Sequence, residues 1–381
     1  RKHKMTQNLL SHKQVTNLIK AVGATRTVLI EGEAGSGKTA IAHEFKNDPF
    51  FANHVIVEPI DCTQLSDGSV WMPDIDREEG VSRELPNERF GVHRENQKGV
   101  DGSVPIVVCL DEIAKARQFI KDVLAPIVYE RRIGQYHMPV GSVVFGCTNL
   151  STEGLGDSMQ GHLRNRLVIV KMRKPTKDEW VRDFAIPRKL SPELIAAVEM
   201  FPQVFDSFMD YQSGGKYEGK PQHKHNHWIA NPADANQEQV VTPRSLHAAS
   251  DIITLAKRAG DVDDETLQCA LGGTLGYGFA AEMTSFIRFG RDIPSFERVV
   301  ADPAGCPLAS SPVAKIVQVF QFLTQASTYE HAEAVTEYIK RMPGEMQSLF
   351  INSVANSTAI GLFATNKIFG KMLADKRTFL N

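Results

Sequence analysis

With 381 residues, 42% hydrophobic and 23% charged, the chain has material for more than one buried core and the composition of a soluble globular protein. A formal net charge of −2 gives it no overall attraction to nucleic acid or acidic membranes, although a local basic patch remains open. Five cysteines without C-x-x-C spacing (Cys62, Cys109, Cys147, Cys269, Cys306) exclude a disulfide scaffold, and no apolar run reaches membrane-spanning length. The opening Arg-Lys-His-Lys is not followed by a signal-type apolar stretch, so a reduced, cytoplasmic protein is expected.

Ser11-His-Lys-Gln14 has capping-box form, and Val15, Leu18, Ile19 and Val22 follow at helical spacing, which predicts a first helix. Thr27-Val-Leu-Ile-Glu31 is a short apolar strand. Behind it comes Gly32-Glu33-Ala34-Gly35-Ser36-Gly37-Lys38-Thr39, a full match to the phosphate-binding loop pattern G-x-x-x-x-G-K-[ST], and then the helical run from Ala40. Residues 54–60 read as a second strand. Residues 63–104 are polar and rich in Gly, Pro and charge, too long and too weakly patterned for a plain connector, which marks them as a functional insertion.

Residues 104–110 are apolar throughout, as in parallel strands covered on both faces, and end in Asp111-Glu112. A long helix is expected from Ile113, because Phe119, Ile120, Val123, Leu124, Ile127 and Val128 repeat on one face. Arg131–Pro139 reads as a hairpin, 142–148 as a strand with Asn149 at its end, and Leu167–Lys171 as a fifth strand. Strands alternating with helices predict an α/β fold, a doubly wound five-stranded parallel sheet that binds its ligand at the strands' carboxyl ends. After Pro175 only helical patterns follow, with start signals at Thr176-Lys-Asp-Glu179, Ser191-Pro192, Pro243, Ser311-Pro312 and Pro343-Gly344. Residues 211–240, rich in Gly, Lys, His and Asn, read as an exposed loop or a disordered excursion.

The chemistry follows from these positions. Loop N–H groups cradle a polyphosphate, Lys38 reaches its β- and γ-phosphates, and the Thr39 hydroxyl ligates Mg²⁺. Asp111 is placed to hold the Mg²⁺ shell and Glu112 to orient and deprotonate the attacking water, though two acids at a strand end are also a common solvated arrangement. Asn149 can hydrogen-bond that water or the γ-phosphate, or simply form a turn. Arg164 and Arg166 precede the fifth strand, where a ring-forming ATPase can supply positive charge to a neighbour's phosphate. Arg244 opens a helix of the helical part, which as a lid would bring it to the phosphates.

Taken in order, Gly-Glu-Ala-Gly-Ser-Gly-Lys38-Thr, Leu-Asp111-Glu-Ile, the Glu130–Pro139 hairpin, Cys-Thr-Asn149, Arg-Asn-Arg166-Leu and Thr-Pro-Arg244-Ser resemble the motifs of MoxR-type AAA+ ATPases. The similarity extends to Pro175-Thr-Lys-Asp-Glu-Trp180 and to Arg341–Phe350. It implies an AAA+ domain over 1–172, a helical lid over 173–305 with a loop insertion at 205–240, and a C-terminal helical region over 306–381. It also implies ATP and Mg²⁺ as cofactors, with Arg166 as arginine finger and Arg244 as second sensor. A homo-oligomeric ring, most simply a hexamer, acting on a protein client is implied as well, commonly with a partner carrying a von Willebrand factor A domain. Leu167 stands where that family usually has Phe, and the lid insertion is longer than expected.

Two other readings stand beside this one. A nucleic-acid-directed motor finds little support in a hairpin whose only cations before His137 are Arg131 and Arg132. A nucleotide-binding scaffold without turnover is disfavoured because each catalytic position is filled. His223-Lys-His225-Asn-His227 has alternate-residue spacing suited to Zn²⁺ or Ni²⁺ on an extended strand. With no carboxylate or cysteine near in sequence, a solvated loop is the simpler expectation.

Overall fold

The computed structural model describes residues 9–66, 68–92, 104–150, 165–212, 215–220, 225–232, 234, 236–357 and 359–379. The chain divides into two compact units, Arg1–Lys174 and Pro175–Asn381.

The first unit begins with α1 (His12–Val22), whose Ser11 and Gln14 cap each other reciprocally and whose Val15 and Ile19 are buried. Next come β1 (Thr27–Gly32), α2 (Ala40–Phe45), β2 (Val55–Ile56) and β3 (Ile60–Asp61). A hairpin of β4 (Trp71–Asp76) and β5 (Val81–Pro86) leads to β6 (Ile106–Asp111) and α3 (Gln118–Glu130). A second hairpin, β7 (Arg132–Ile133) and β8 (Tyr136–His137), is followed by β9 (Val143–Asn149) and β10 (Leu167–Met172). The main sheet runs in the order β10-β1-β9-β6-β2, with β3 also on β6, and every pairing in it is parallel.

Alternate residues of each strand face opposite layers. Val28, Ile30, Val107, Phe145 and Cys147 share one core with Val15, Ile19 and Phe45, while Leu29, Val108, Leu110 and Val144 share the other with Ile120 and Leu124. The expected fold class, a doubly wound parallel sheet followed by an all-helical part, is borne out. Its second strand differs in detail. Pro59 has no N–H to give a ladder, and the strand read over 54–60 is broken into β2 and β3, so the sheet counts six strands.

One further expectation changes. The helix read from Ile113 is a 3-10 turn, Ile113–Lys115, and α3 starts only at Gln118, because Glu112 is left-handed and Ala116 and Arg117 are extended. The segment 63–104 carries the β4–β5 hairpin and buries Phe90 and Val92.

The second unit is helical as expected, and one hydrophobic core runs through it from Trp180 to Met372. The described part of 211–240 is more tightly held than an exposed loop. Buried Asp206 accepts hydrogen bonds from the hydroxyls of Tyr211 (2.8 Å) and Tyr217 (3.0 Å), and Ile229 is fully buried. His225 packs its ring edge-on against Tyr211 and Phe208, whereas His223 lies outside the described residues. Among the described residues no group of three metal-ligating side chains forms, and no helix is long and apolar enough to cross a membrane.

Candidate nucleotide site

The phosphate-loop residues Gly32–Thr39 leave the carboxyl end of β1 and turn into α2. Gly35 and Gly37 adopt φ of 69° and 97°, backbone that side-chain-bearing residues rarely take, which is why the loop needs glycine there. Lys38 is only 6% exposed. Its ammonium donates to the carbonyls of Gly32 (2.9 Å) and Glu33 (2.8 Å) and to Asn149 Oδ1 (2.9 Å). β9 pairs in register with β1 so that Asn149 lies beside Gly32, and this brings the amide to the loop.

Thr39 does not cap α2. Its hydroxyl donates to Asp111 Oδ2 at 2.9 Å, while Asp111 Oδ1 accepts the backbone N–H of Glu112 at 3.1 Å. Burial pushes the Asp111 carboxyl above its ordinary range, against the lowering effect of the Thr39 bond, and the neighbouring Glu112 charge adds to the rise. A divalent cation between Thr39 and Asp111 would relieve that cost. Two hard oxygens held side by side suit Mg²⁺, which takes one or two protein ligands and completes its shell with phosphate oxygens and water. The buried Ser36 hydroxyl has no hydrogen-bond partner among the described residues, as fits a cradle built for a polar ligand.

Glu112 holds φ of 50°, and its carboxylate pairs with Lys115 at 3.2 Å. The left-handed backbone turns the chain sharply after β6. Arg166 stands just before β10, with its guanidinium carbon 4.8 Å from the centre of the Tyr129 ring. Arg244 is exposed in the first turn of the helix Pro243–Ala259 in the second unit. Arg164 lies outside the described residues.

Thus Lys38, Thr39, Asp111, Glu112 and Asn149 converge at the carboxyl ends of three neighbouring strands, β1, β9 and β6. Sequence reasoning missed two lysines here. Lys174 is buried and pairs with the loop's Glu33 at 2.9 Å, and Lys115 holds Glu112. Lys174 had a partial signal: it lies three residues beyond the fifth strand as read, which the structure pairs with β1, so the residues after that strand reach the phosphate loop.

No known protein family and no curated protein matches the sequence. Among solved structures, NtrX from Brucella abortus in complex with ADP is similar at a TM-score of 0.36 and 14% identity, over 95% of this chain and 70% of that one. A point mutant of RuvB from Thermotoga maritima gives 0.35 and 13%, over 76% and 72%. The Hsp104–ADP complex from S. cerevisiae gives 0.34 and 12%, over 97% of this chain and 48% of that one. Likeness of this degree places the chain in no family and says nothing of its partners.

Proposed function

We propose that this chain is an ATP-hydrolysing AAA+ motor of the MoxR type, working as a homo-oligomeric, hexameric ring in the cytoplasm to remodel or activate a protein client. One observation carries the reading: the loop is clamped twice, Lys38 to Asn149 and Thr39 to Asp111, so groups from three strands already face one point. A phosphate entering the cradle of residues 32–40 takes over the Lys38 protons now given to the Gly32 and Glu33 carbonyls. Mg²⁺ held by Thr39 and Asp111 would neutralise charge on the β- and γ-phosphates. Glu112 releases Lys115 and takes the proton of the attacking water, which Asn149 orients.

The arginines act from elsewhere. Leu167 pairs with Thr27 and Met172 with Gly32, so Arg166 sits at the opposite end of the sheet from its own phosphate loop, roughly 20 Å away at about 3.3 Å per residue. That distance supports action on a neighbouring subunit's nucleotide. Arg244 puts a cation at a helix N-terminus, where the helix dipole disfavours it, which is a cost expected of a residue kept for binding phosphate. In this reading 173–305 is the lid, 306–381 the C-terminal helical region, and the 63–104 insertion with the 131–139 hairpin meets the client. A protein with a von Willebrand factor A domain is the partner class we put first.

The nucleic-acid reading loses ground on one contact pattern. Arg131 spends its guanidinium on backbone carbonyls and Thr27, and Arg132 pairs with Glu130 at 3.0 Å, so neither is left for a sugar-phosphate backbone. The test is the ATPase rate of the purified chain alone, with DNA or RNA, and with a candidate protein partner. Stimulation by the protein alone is the expected result. Stimulation by nucleic acid alone would transfer the assignment to the second reading, and no hydrolysis under any condition would favour a scaffold.

A further inference from the structure

We propose that Tyr129 is the positioning residue for Arg166, its ring holding the guanidinium ready for the neighbouring subunit's nucleotide. The inference rests on the reading of Arg166 as a residue acting in trans. A separation of 4.8 Å from guanidinium carbon to ring centre lies within cation–π range.

The ring stands on a fixed base. Tyr129 belongs to the last turn of α3, and the carbonyl of the preceding residue, Val128, accepts both the Thr27 hydroxyl (2.6 Å) and an N–H of Arg131 (2.6 Å). Arg131 also donates to Thr27 Oγ1 (2.9 Å) and to the Gly23 carbonyl (2.8 Å), which ties this helix end to the start of β1 and to the turn before it. Half-buried Tyr129 packs against the same apolar cluster as Leu167, the residue that follows Arg166. Ring and arginine therefore approach from two elements joined to one strand.

Such a base has a catalytic use. An exposed arginine on an unsupported loop samples many rotamers, and a neighbour must immobilise it before it can stabilise charge. An aromatic face removes much of that freedom beforehand. It also does so without a carboxylate, which would neutralise the very charge the site needs. Burial raises the Tyr129 phenol above its ordinary range, although Arg166 pulls the other way, so the ring is uncharged at neutral pH and attracts through its face.

The experiment measures kcat and KM for ATP of the full chain in the assembled state for Tyr129→Leu, Tyr129→Phe, Arg166→Ala and the double variant Tyr129→Leu with Arg166→Ala. Tyr129→Leu is expected to lower kcat about tenfold with KM unchanged, and Tyr129→Phe to restore most of it. In the Arg166→Ala background the Leu substitution should cost nothing further. A Tyr129→Leu enzyme with wild-type kcat beside an Arg166→Ala enzyme reduced to a small, measurable residual rate overturns the positioning role alone, whereas an unimpaired Arg166→Ala enzyme removes the trans reading and this inference with it. Equal losses from Tyr129→Leu in both backgrounds would mark a structural effect and also refute it. Should the Leu variant unfold, phenylalanines of increasing fluorination at position 129 keep the ring's shape while weakening its face. A stepwise fall in kcat along that series supports the role, and a flat series rejects it.

Discussion

Lys38 and Glu112, which the proposal assigns to one nucleotide, should fail in different ways. The Lys38 ammonium is engaged with Gly32, Glu33 and Asn149, so Lys38→Ala removes both the proposed phosphate contact and a brace of the loop. It should abolish nucleotide binding measured by titration with a fluorescent ATP analogue. Glu112→Gln keeps the cradle and should bind the analogue as wild type does, with phosphate release slowed by roughly 10²- to 10⁴-fold. Asp111 makes a pH prediction. Its folded-state value is raised above the ordinary 3.8, so the folded chain holds this proton more tightly than the unfolded chain. Stability from this group is therefore lost as pH rises: the penalty is absent below about 3.8 and complete above the raised folded value. Measured by thermal unfolding without nucleotide, wild type should lose ground to Asp111→Asn steadily as pH rises through that window. The hydrogen bond that Asn cannot replace only adds a constant offset.

Among the elements, those that build the site were the most legible. β1, β6 and β9 lie inside the sheet, largely buried on both faces, and read as mainly apolar runs, and their register brings Asn149 and Asp111 to the loop. The β4–β5 hairpin was not legible for the converse reason. Met72, Ile75, Val81 and Leu85 are exposed, so no one-sided alternation marks the strands. The start of α3 was misplaced because apolar spacing runs on through Ile113 while the backbone turns away at Glu112. Packing around Asp206 was invisible too, since it depends on tyrosines and a lysine that look like loop residues until they meet. The hairpin's exposed apolar side chains make it the part of the insertion to test against a client. Replacing residues 73–84 with an Asn-Gly turn closes the ladder at the Met72–Leu85 pair. Basal ATPase and nucleotide affinity should stay unchanged, and stimulation by the protein partner should be lost. Loss of nucleotide binding in that variant would make the hairpin structural.

At the scale of the whole molecule, the strand register fits the proposal that one subunit alone is an incomplete ATPase. With Arg166 at one end of the sheet and the phosphate loop at the other, the proposed ring requires each nucleotide to receive its arginine from the next chain. Alone, Lys38→Ala subunits should be inactive and Arg166→Ala subunits should keep only a small residual rate. Mixed together they create some interfaces with an intact loop and an intact arginine, and a fraction of the ATPase activity should return. Native mass spectrometry confirms co-assembly, and a mixed ring without any recovery would argue against action in trans. Arg164 is part of the same stretch, and the parallel mixture with Arg164→Ala shows whether it shares the duty.

The left-handed backbone at Glu112 has a consequence for how this protein changes under selection. A φ of 50° strains any residue with a Cβ, and glycine would relieve it, with a gain on the order of 1 kcal/mol. Selection for thermal resistance alone thus has a route open at this codon that discards the carboxylate. Library variants enriched by heat challenge without a hydrolysis screen should accumulate Glu112→Gly, and they should be firmer proteins that no longer turn over ATP.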